Sequence, residues 1–210
     1  MKAYYAARAK EYDKIYFKPE RQSDLRALEQ WLSQAFKGKH VLEVAAGTGY
    51  WTQFIAPQAA SLVALDASSE TLEIARHRVP EAHVQWLIGD AYQIPMPQPL
   101  FDAAFAGFWF SHVPKAQQRS FLEGLNQVLQ KGSRVILLDN LYVPGNSTPL
   151  SETDAEGNTY QNRPLADGSM HRVLKNYPGE QDMLACVQGL AVEPVYKTWQ
   201  YFWAFEYTVA

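Results

Sequence analysis

Cysteine is almost absent from this sequence of 210 residues: Cys186 stands alone, which excludes an internal disulfide and a thiolate metal cluster. The five histidines, His40, His77, His83, His112 and His171, show no H-x3-H or similar ligand spacing, and no carboxylate joins them in a metal motif, so no catalytic metal is expected. No run of Lys and Arg resembles the basic stripe that tracks a phosphate backbone. The net charge is −3 with a pI near 6.0, and nucleic acid is not an expected partner. Long apolar runs are missing as well. Nothing approaches the roughly 20 residues of a membrane-spanning helix, and Met1–Tyr5 has no apolar signal core. A cytoplasmic protein without a membrane partner is therefore expected.

What is present is an ordinary globular composition, 47% hydrophobic and 20% charged, enough to bury one core in a single domain. The most informative stretch is His40-Val41-Leu42-Glu43-Val44-Ala45-Ala46-Gly47-Thr48-Gly49-Tyr50. Val41, Leu42 and Val44 are strand formers, Gly47 and Gly49 permit a sharp turn and close approach to a ligand, and Thr48 can cap the helix that follows. A buried strand, a glycine turn and a helix suit a nucleotide-like ligand. Two absences narrow its chemistry. The third glycine of a dinucleotide G-x-G-x-x-G falls on Thr52, and the Gly-Lys-Ser/Thr of a phosphate-cradling loop is replaced by Gly49-Tyr50-Trp51-Thr52. With Glu43 ahead of the turn and no lysine in it, phosphate is disfavoured. A ligand carrying a sulfonium and an ammonium is favoured, because opposite charge nearby offsets their desolvation.

The segment Val41–Gly49 resembles the first motif of class I S-adenosylmethionine-dependent methyltransferases, and the likeness continues in order over roughly residues 38 to 140. Ser61–Asp66 ends in an acid, as the family's ribose-binding strand does. Gly89-Asp90-Ala91 is similar to the segment whose Asp meets the adenine amine and whose next amide meets a ring nitrogen. Phe101–Phe108 matches the fourth strand, and Leu129–Asp139 resembles the family's helix end, glycine turn and fifth strand. The resemblance implies an α/β fold: a Rossmann-like, seven-stranded, mostly parallel sheet with helices on both faces and a C-terminal antiparallel hairpin. It implies S-adenosyl-L-methionine as cofactor, with S-adenosyl-L-homocysteine as product. The implied contacts are Ala45, Gly47, Thr48 and Gly49 in the turn, Asp66 and Ala67 at the ribose, Asp90 and Ala91 at the base, and Glu43 near the amino-acid end. Gly47 and Phe108 would contribute carbonyls to the ammonium. The opening Tyr4–Asp13 resembles that of small-molecule methyltransferases, including the ubiquinone- and menaquinone-pathway enzymes, where it forms a lid. That places Tyr12 on the cofactor and Tyr5 and Tyr16 on the acceptor side. Enzymes of the family that modify exocyclic amines of DNA carry a Pro-Pro-Tyr-like motif after the fourth strand. Here that place reads Phe108-Trp109-Phe110-Ser111-His112, which argues against that branch.

Periodicity predicts a helix from Ser23 to Gly38, a helix from the glycine turn to Pro57, a helix capped by Ser68, and a helix through Phe121–Leu129. Val84–Ile88, Val192–Thr198 and Trp199–Val209 read as strands, and strands alternating with helices predict a parallel sheet with ligand sites beyond its carboxyl edge. Residues 141–178 break this alternation with scattered Pro and Gly and read as a long irregular insert. The expected division is a helical lid (1–37), a cofactor-binding core (38–140), an acceptor-side insert (141–178) and a C-terminal helix with strands (179–210). Arg163, Arg172 and Lys175 can recognise an anionic acceptor. Trp109, Asn140 and Tyr142, just beyond strand ends, can line its pocket, and His112 is the best-placed general base. The activity expected is in-line methyl transfer to an N, O or S atom of a small soluble metabolite or natural product, by a monomer or homodimer. Two alternatives stand beside it. One is a non-catalytic S-adenosylmethionine-binding regulatory module; the other is a NAD-type oxidoreductase, which Thr52 disfavours.

Overall fold

The computed structural model describes residues 8–96, 100–165 and 167–210. Its frame is a seven-stranded sheet of β1 (His40–Val44), β2 (Ser61–Asp66), β3 (Val84–Ile88), β4 (Phe101–Gly107), β5 (Leu129–Asn140), β9 (Ala191–Thr198) and β10 (Phe202–Val209). The spatial order is β3-β2-β1-β4-β5-β10-β9. The first five strands are mutually parallel, while β10 runs antiparallel to both β5 and β9. This is the Rossmann-like arrangement with a C-terminal hairpin that the sequence implied.

The central strands β1 and β4 and the second half of β5 read as near-continuous apolar runs because both faces of the sheet are covered there. Along β1, Val41 joins one hydrophobic cluster and Leu42 the other. Along β5, Ile136 and Leu138 face the first cluster while Val135 and Leu137 face the second. Helix α1 (Gln22–Ala35) packs Leu25, Leu28 and Leu32 into the first cluster, together with Ile55 of the short α2 (Thr52–Ile55). On the opposite face, α4 (Lys115–Gln127) and α5 (Glu180–Cys186) contribute Phe121, Leu122 and Met183. Each of these fully buried side chains stabilises the fold by roughly 1.5–3 kcal/mol relative to exposure. Helix α3 (Ser69–Arg78) begins as the sequence predicts, with the Ser68 hydroxyl accepting the Thr71 amide.

Three expectations need correction. The stretch 141–178 is not irregular: β6 (Glu152–Thr153), β7 (Thr159–Pro164) and β8 (Met170–Leu174) form a separate antiparallel sheet. Its strands escaped notice because Thr-Tyr-Gln-Asn-Arg-Pro carries no apolar alternation. Secondly, no glycine turn separates α4 from β5. The strand already starts at Leu129 and absorbs Gly132, φ 81°, where its register against β4 shifts. Thirdly, the described part of the N-terminal helix, Ala9–Tyr16, is a tight 3-10 helix, and α1 starts at Gln22 rather than Ser23. Tyr5 lies outside the described residues. Among the described residues, no helix is long and apolar enough to cross a membrane.

Candidate active site

Strands β1 and β4 are neighbours whose chain connections leave toward opposite sides of the sheet, which opens a crevice beyond their carboxyl ends. There a cleft of about 500 Å³ is lined by Tyr12, Ala45, Gly47, Asp66, Ala67, Asp90, Ala91 and Phe108, all singled out from the sequence. Its walls include Ile88, Tyr92 and Trp109, with the last two rings edge-on at 5.8 Å. The turn is built around Asp66. One carboxylate oxygen accepts the Gly47 amide (2.8 Å), and the other accepts the Ser68 amide (2.9 Å) and the Thr71 hydroxyl (3.2 Å). Burial raises the Asp66 pKa against the lowering effect of these bonds. A carboxylate has about four acceptor sites, so these three bonds leave room for about one further donor. Gly49 serves packing: with φ 75°, a Cβ there would stand 3.0 Å from that of Ala75. Ala45 and Phe108, both at φ 57°, hold the left-handed backbone that costs a non-glycine residue about 1–3 kcal/mol. Both sit on the rim of the cleft.

Glu43 lies beneath this floor, 1% exposed, and its Oε2 atom has no hydrogen-bond partner. Burial pushes its carboxyl up to about 8; the Thr52 hydroxyl opposes the rise and the Asp66 charge adds to it. An orphaned acid buried below a glycine turn fits a cationic ligand group above it. Together with the carboxylates of Asp66 and Asp90, this donor set suits S-adenosylmethionine, which carries ribose hydroxyls, an exocyclic amine and an ammonium.

Tyr12, Phe108 and His112 also border a second cavity, of about 330 Å³, so the two spaces meet at these three side chains. Its described lining contains five cationic side chains, Arg8, Lys18, Arg21, Arg163 and Lys175, and no Asp or Glu. The guanidinium of Arg21 donates to Asn140 Oδ1 and Asn146 Oδ1, each at 2.8 Å, and Lys18 donates to the Asn146 carbonyl at 2.8 Å. Arg163 donates to Gln161 Oε1 at 2.7 Å. Burial lowers the pKa of Lys18, and the neighbouring Arg21 charge lowers it further. With Lys175 balanced by Asp139, the other cations give this chamber a positive field that suits an anion.

Lys175 is the buried member, 3% exposed, with Nζ at 2.5 Å from Asp139 Oδ1 and 2.6 Å from Ser111 Oγ. Burial alone would raise the Asp139 carboxyl; the Lys175 charge outweighs it and holds that carboxyl below its ordinary value. His112, also buried, contacts the Leu174 carbonyl through Nδ1 at 2.5 Å. A carbonyl only accepts, so Nδ1 carries the proton and Nε2 is the basic nitrogen of the neutral ring. Burial, then the Lys175 and Arg163 charges, hold its pKa well below the ordinary histidine value.

Several sequence-predicted residues lie elsewhere. Thr48 is buried behind the turn, bonded to Asp13. Tyr16 sits in the core, stacked on Tyr50 with ring centroids 3.4 Å apart, and does not reach the acceptor chamber. Trp109 lines the cleft rather than the chamber. Tyr142 packs against Tyr177 and borders a separate groove beside Pro178. Arg172 points outward, paired with Glu152 and lying 3.4 Å over the Tyr160 ring. Alternation along β8 places His171 and Val173 on one side and Arg172 on the other. Sequence reading missed Arg8, Lys18 and Arg21. Their only signal was charge in an N-terminal segment, and Arg21 meets its partner Asn140 across 119 residues of chain.

A methyltransferase-domain family profile matches residues 41–132. DhpI in complex with SAH superimposes with a TM-score of 0.79 at 28% identity, over 99% of this chain and 94% of that one. Residues 41–132 are thus similar to a methyltransferase domain, and the whole fold is similar to that of an SAH-bound protein. The same relative in complex with SAM and HEP gives a TM-score of 0.78 at 26% identity, over 97% and 94% of the two chains. The chain is also 32% identical to the demethylmenaquinone methyltransferase of Clavibacter sepedonicus over 103 residues, which is 49% of the present chain. It spans 41% of that enzyme, and likewise under half of the biotin-biosynthesis protein of Cellvibrio japonicus and of the demethylmenaquinone methyltransferase of Listeria welshimeri.

Proposed function

We propose that the protein transfers the methyl group of S-adenosylmethionine to an N, O or S atom of a small anionic metabolite. The observation that carries this reading is the cationic chamber opening onto the acidic cleft at Tyr12, Phe108 and His112. DhpI, similar along nearly its whole length, is solved with SAM and HEP together, which supports a small acceptor beside the cofactor.

S-adenosylmethionine supplies a methyl carbon already activated by its sulfonium, so the chain's task is placement and exclusion of water. Asp66 would hold a ribose hydroxyl, Asp90 with the Ala91 amide the adenine, and Glu43 would balance the ammonium from below. Arg163, Lys175, Lys18 and Arg21 would hold the acceptor's negative charge in the chamber. His112 faces the junction with Nε2 unprotonated, ready to take a proton from a hydroxyl or amine nucleophile; a nucleophile that is already ionised needs none. Its depressed pKa keeps it in the neutral form at physiological pH.

Parallel calorimetric titrations with S-adenosylmethionine, S-adenosylhomocysteine and NAD test the cofactor half. Binding of the first two alone supports the reading, and binding of NAD alone overturns it. Asp66→Ala is expected to weaken S-adenosylhomocysteine by about 1.5–3 kcal/mol, the value of hydrogen bonds to a charged group. Unchanged affinity would remove Asp66 from the site. For the acceptor half, methyl transfer is measured on small carboxylates and phosphonates beside neutral alcohols and cationic amines. Turnover confined to amines would sink the anionic reading.

A further inference from the structure

We propose that Asp13 and Arg21 are positioning residues at the two ends of one chain segment, through which an anion in the chamber tightens ligand binding in the cleft. The inference rests on the function proposed above. At one end, the Asp13 carboxylate accepts the Thr48 hydroxyl at 2.7 Å and pairs with the Arg78 guanidinium, which also donates to Thr48 Oγ1 at 3.2 Å. The segment is thereby fastened to the glycine turn and to α3 at once. Asp13 directly follows Tyr12, the residue shared by cleft and chamber. Midway, Tyr16 is buried between Tyr50, which follows the turn, and Phe108, ring centroids 5.7 Å away and 16° from parallel. At the far end, Lys18 and Arg21 reach across to Asn140 and Asn146, in the same cavity as Arg163 and Lys175.

Two cations on the segment, Lys18 and Arg21, thus share the chamber with Arg163 of the insert, while the charge of Lys175 is balanced by Asp139. The repulsion between the segment's cations and Arg163 opposes the docked position that the polar contacts favour. Burial lowers the pKa of Lys175, the Asp139 charge opposes this, and the charges of Arg163 and Arg21 lower it further, so Arg21 of the segment and Arg163 of the insert are felt at one point. An anion between them removes the repulsion and favours docking. Docking is also the position in which Asp13 holds the turn and Tyr12 closes the rim. Two ligands that favour the same position of one element must strengthen each other, by the same factor in both directions.

The test is a pair of calorimetric titrations: S-adenosylhomocysteine with and without saturating inorganic phosphate at matched ionic strength, and phosphate with and without S-adenosylhomocysteine. Each ligand is expected to tighten the other about 5-fold or more, at the lower edge of ordinary coupling. Asp13→Asn is expected to weaken S-adenosylhomocysteine and cut the mutual effect below about 2-fold. Arg21→Gln is expected to weaken phosphate and to cut the mutual effect below about 2-fold. Should Asp13→Asn fail to fold, Arg78→Gln opens the same latch from α3 and is expected to give the same loss. A purely structural role for Asp13 would weaken binding without touching the reciprocity. Two ligands that bind with no mutual effect overturn the coupling alone. Absence of phosphate binding overturns the coupling together with the anionic acceptor, and absence of S-adenosylhomocysteine binding overturns it together with the cofactor reading.

Discussion

Glu43→Gln is expected to make the ligand-free protein more stable than the wild type at pH 8 by roughly 4 kcal/mol, at about 1.4 kcal/mol per unit of pKa shift, and to leave no such advantage near pH 4.5. The sign follows from where the proton sits. The carboxyl titrates at about 8 in the folded chain against 4.5 when exposed, so between these values the folded state keeps a proton that the unfolded chain has released. The stability this group contributes is fully present below pH 4.5 and is lost as the pH rises through 8. The glutamine side chain has no proton to lose in that window. Urea unfolding of both proteins at pH 5, 6.5 and 8 measures the difference, and a gap that does not widen with pH would contradict the buried, protonated carboxyl. On the proposed cofactor reading, the substitution that stabilises the empty protein also abolishes proton release when S-adenosylhomocysteine binds.

Lys175→Met is expected to act in the opposite direction, at a cost of about 3–5 kcal/mol, because it strands the Asp139 charge in a site with no exposure. In a domain of this size that lowers the melting temperature by roughly 2–4 °C per kcal/mol, on the order of 10 °C in all. Asp139 would keep the Asn140 backbone amide at 2.7 Å and two longer bonds, from the Asn140 side-chain amide and the Ser111 amide, each at 3.3 Å, with no cation to balance its charge. The double variant Lys175→Met/Asp139→Asn is expected to recover most of the loss. A melting temperature unmoved by the single change would mean that the pair does not form.

The core was legible because its chemistry is local. A strand, a glycine turn and an acid on the next strand lie close in sequence, and Asp66 completes the motif by bonding to the Gly47 amide. The chamber was not legible for the opposite reason. Its cations come from the N-terminal segment and from β7 and the end of β8, and a sequence does not display which of two adjacent basic residues faces inward. Arg163 and Arg172 looked equivalent on charge alone. The pleat of the insert sheet sends the first into the chamber and the second onto Tyr160 at the surface. Tyr16 failed as an acceptor contact because stacking on Tyr50 and Phe108 consumed a ring whose helical spacing suited packing equally well.

The small antiparallel sheet meets the rest of the molecule through the last turn of chain after β8. The Leu174 carbonyl sets the tautomer of His112, the Lys175 ammonium neutralises Asp139, and the Asn176 amide bonds to the Ser111 carbonyl at 2.8 Å. Three consecutive residues thus carry the basic nitrogen's identity, the buried charge balance and the mechanical joint. On the proposed function, recognition and proton handling are therefore inherited together on one contiguous cassette. Grafting a different stretch 141–178 onto the same core would then change the acceptor only if the graft brings its own equivalents of these three residues.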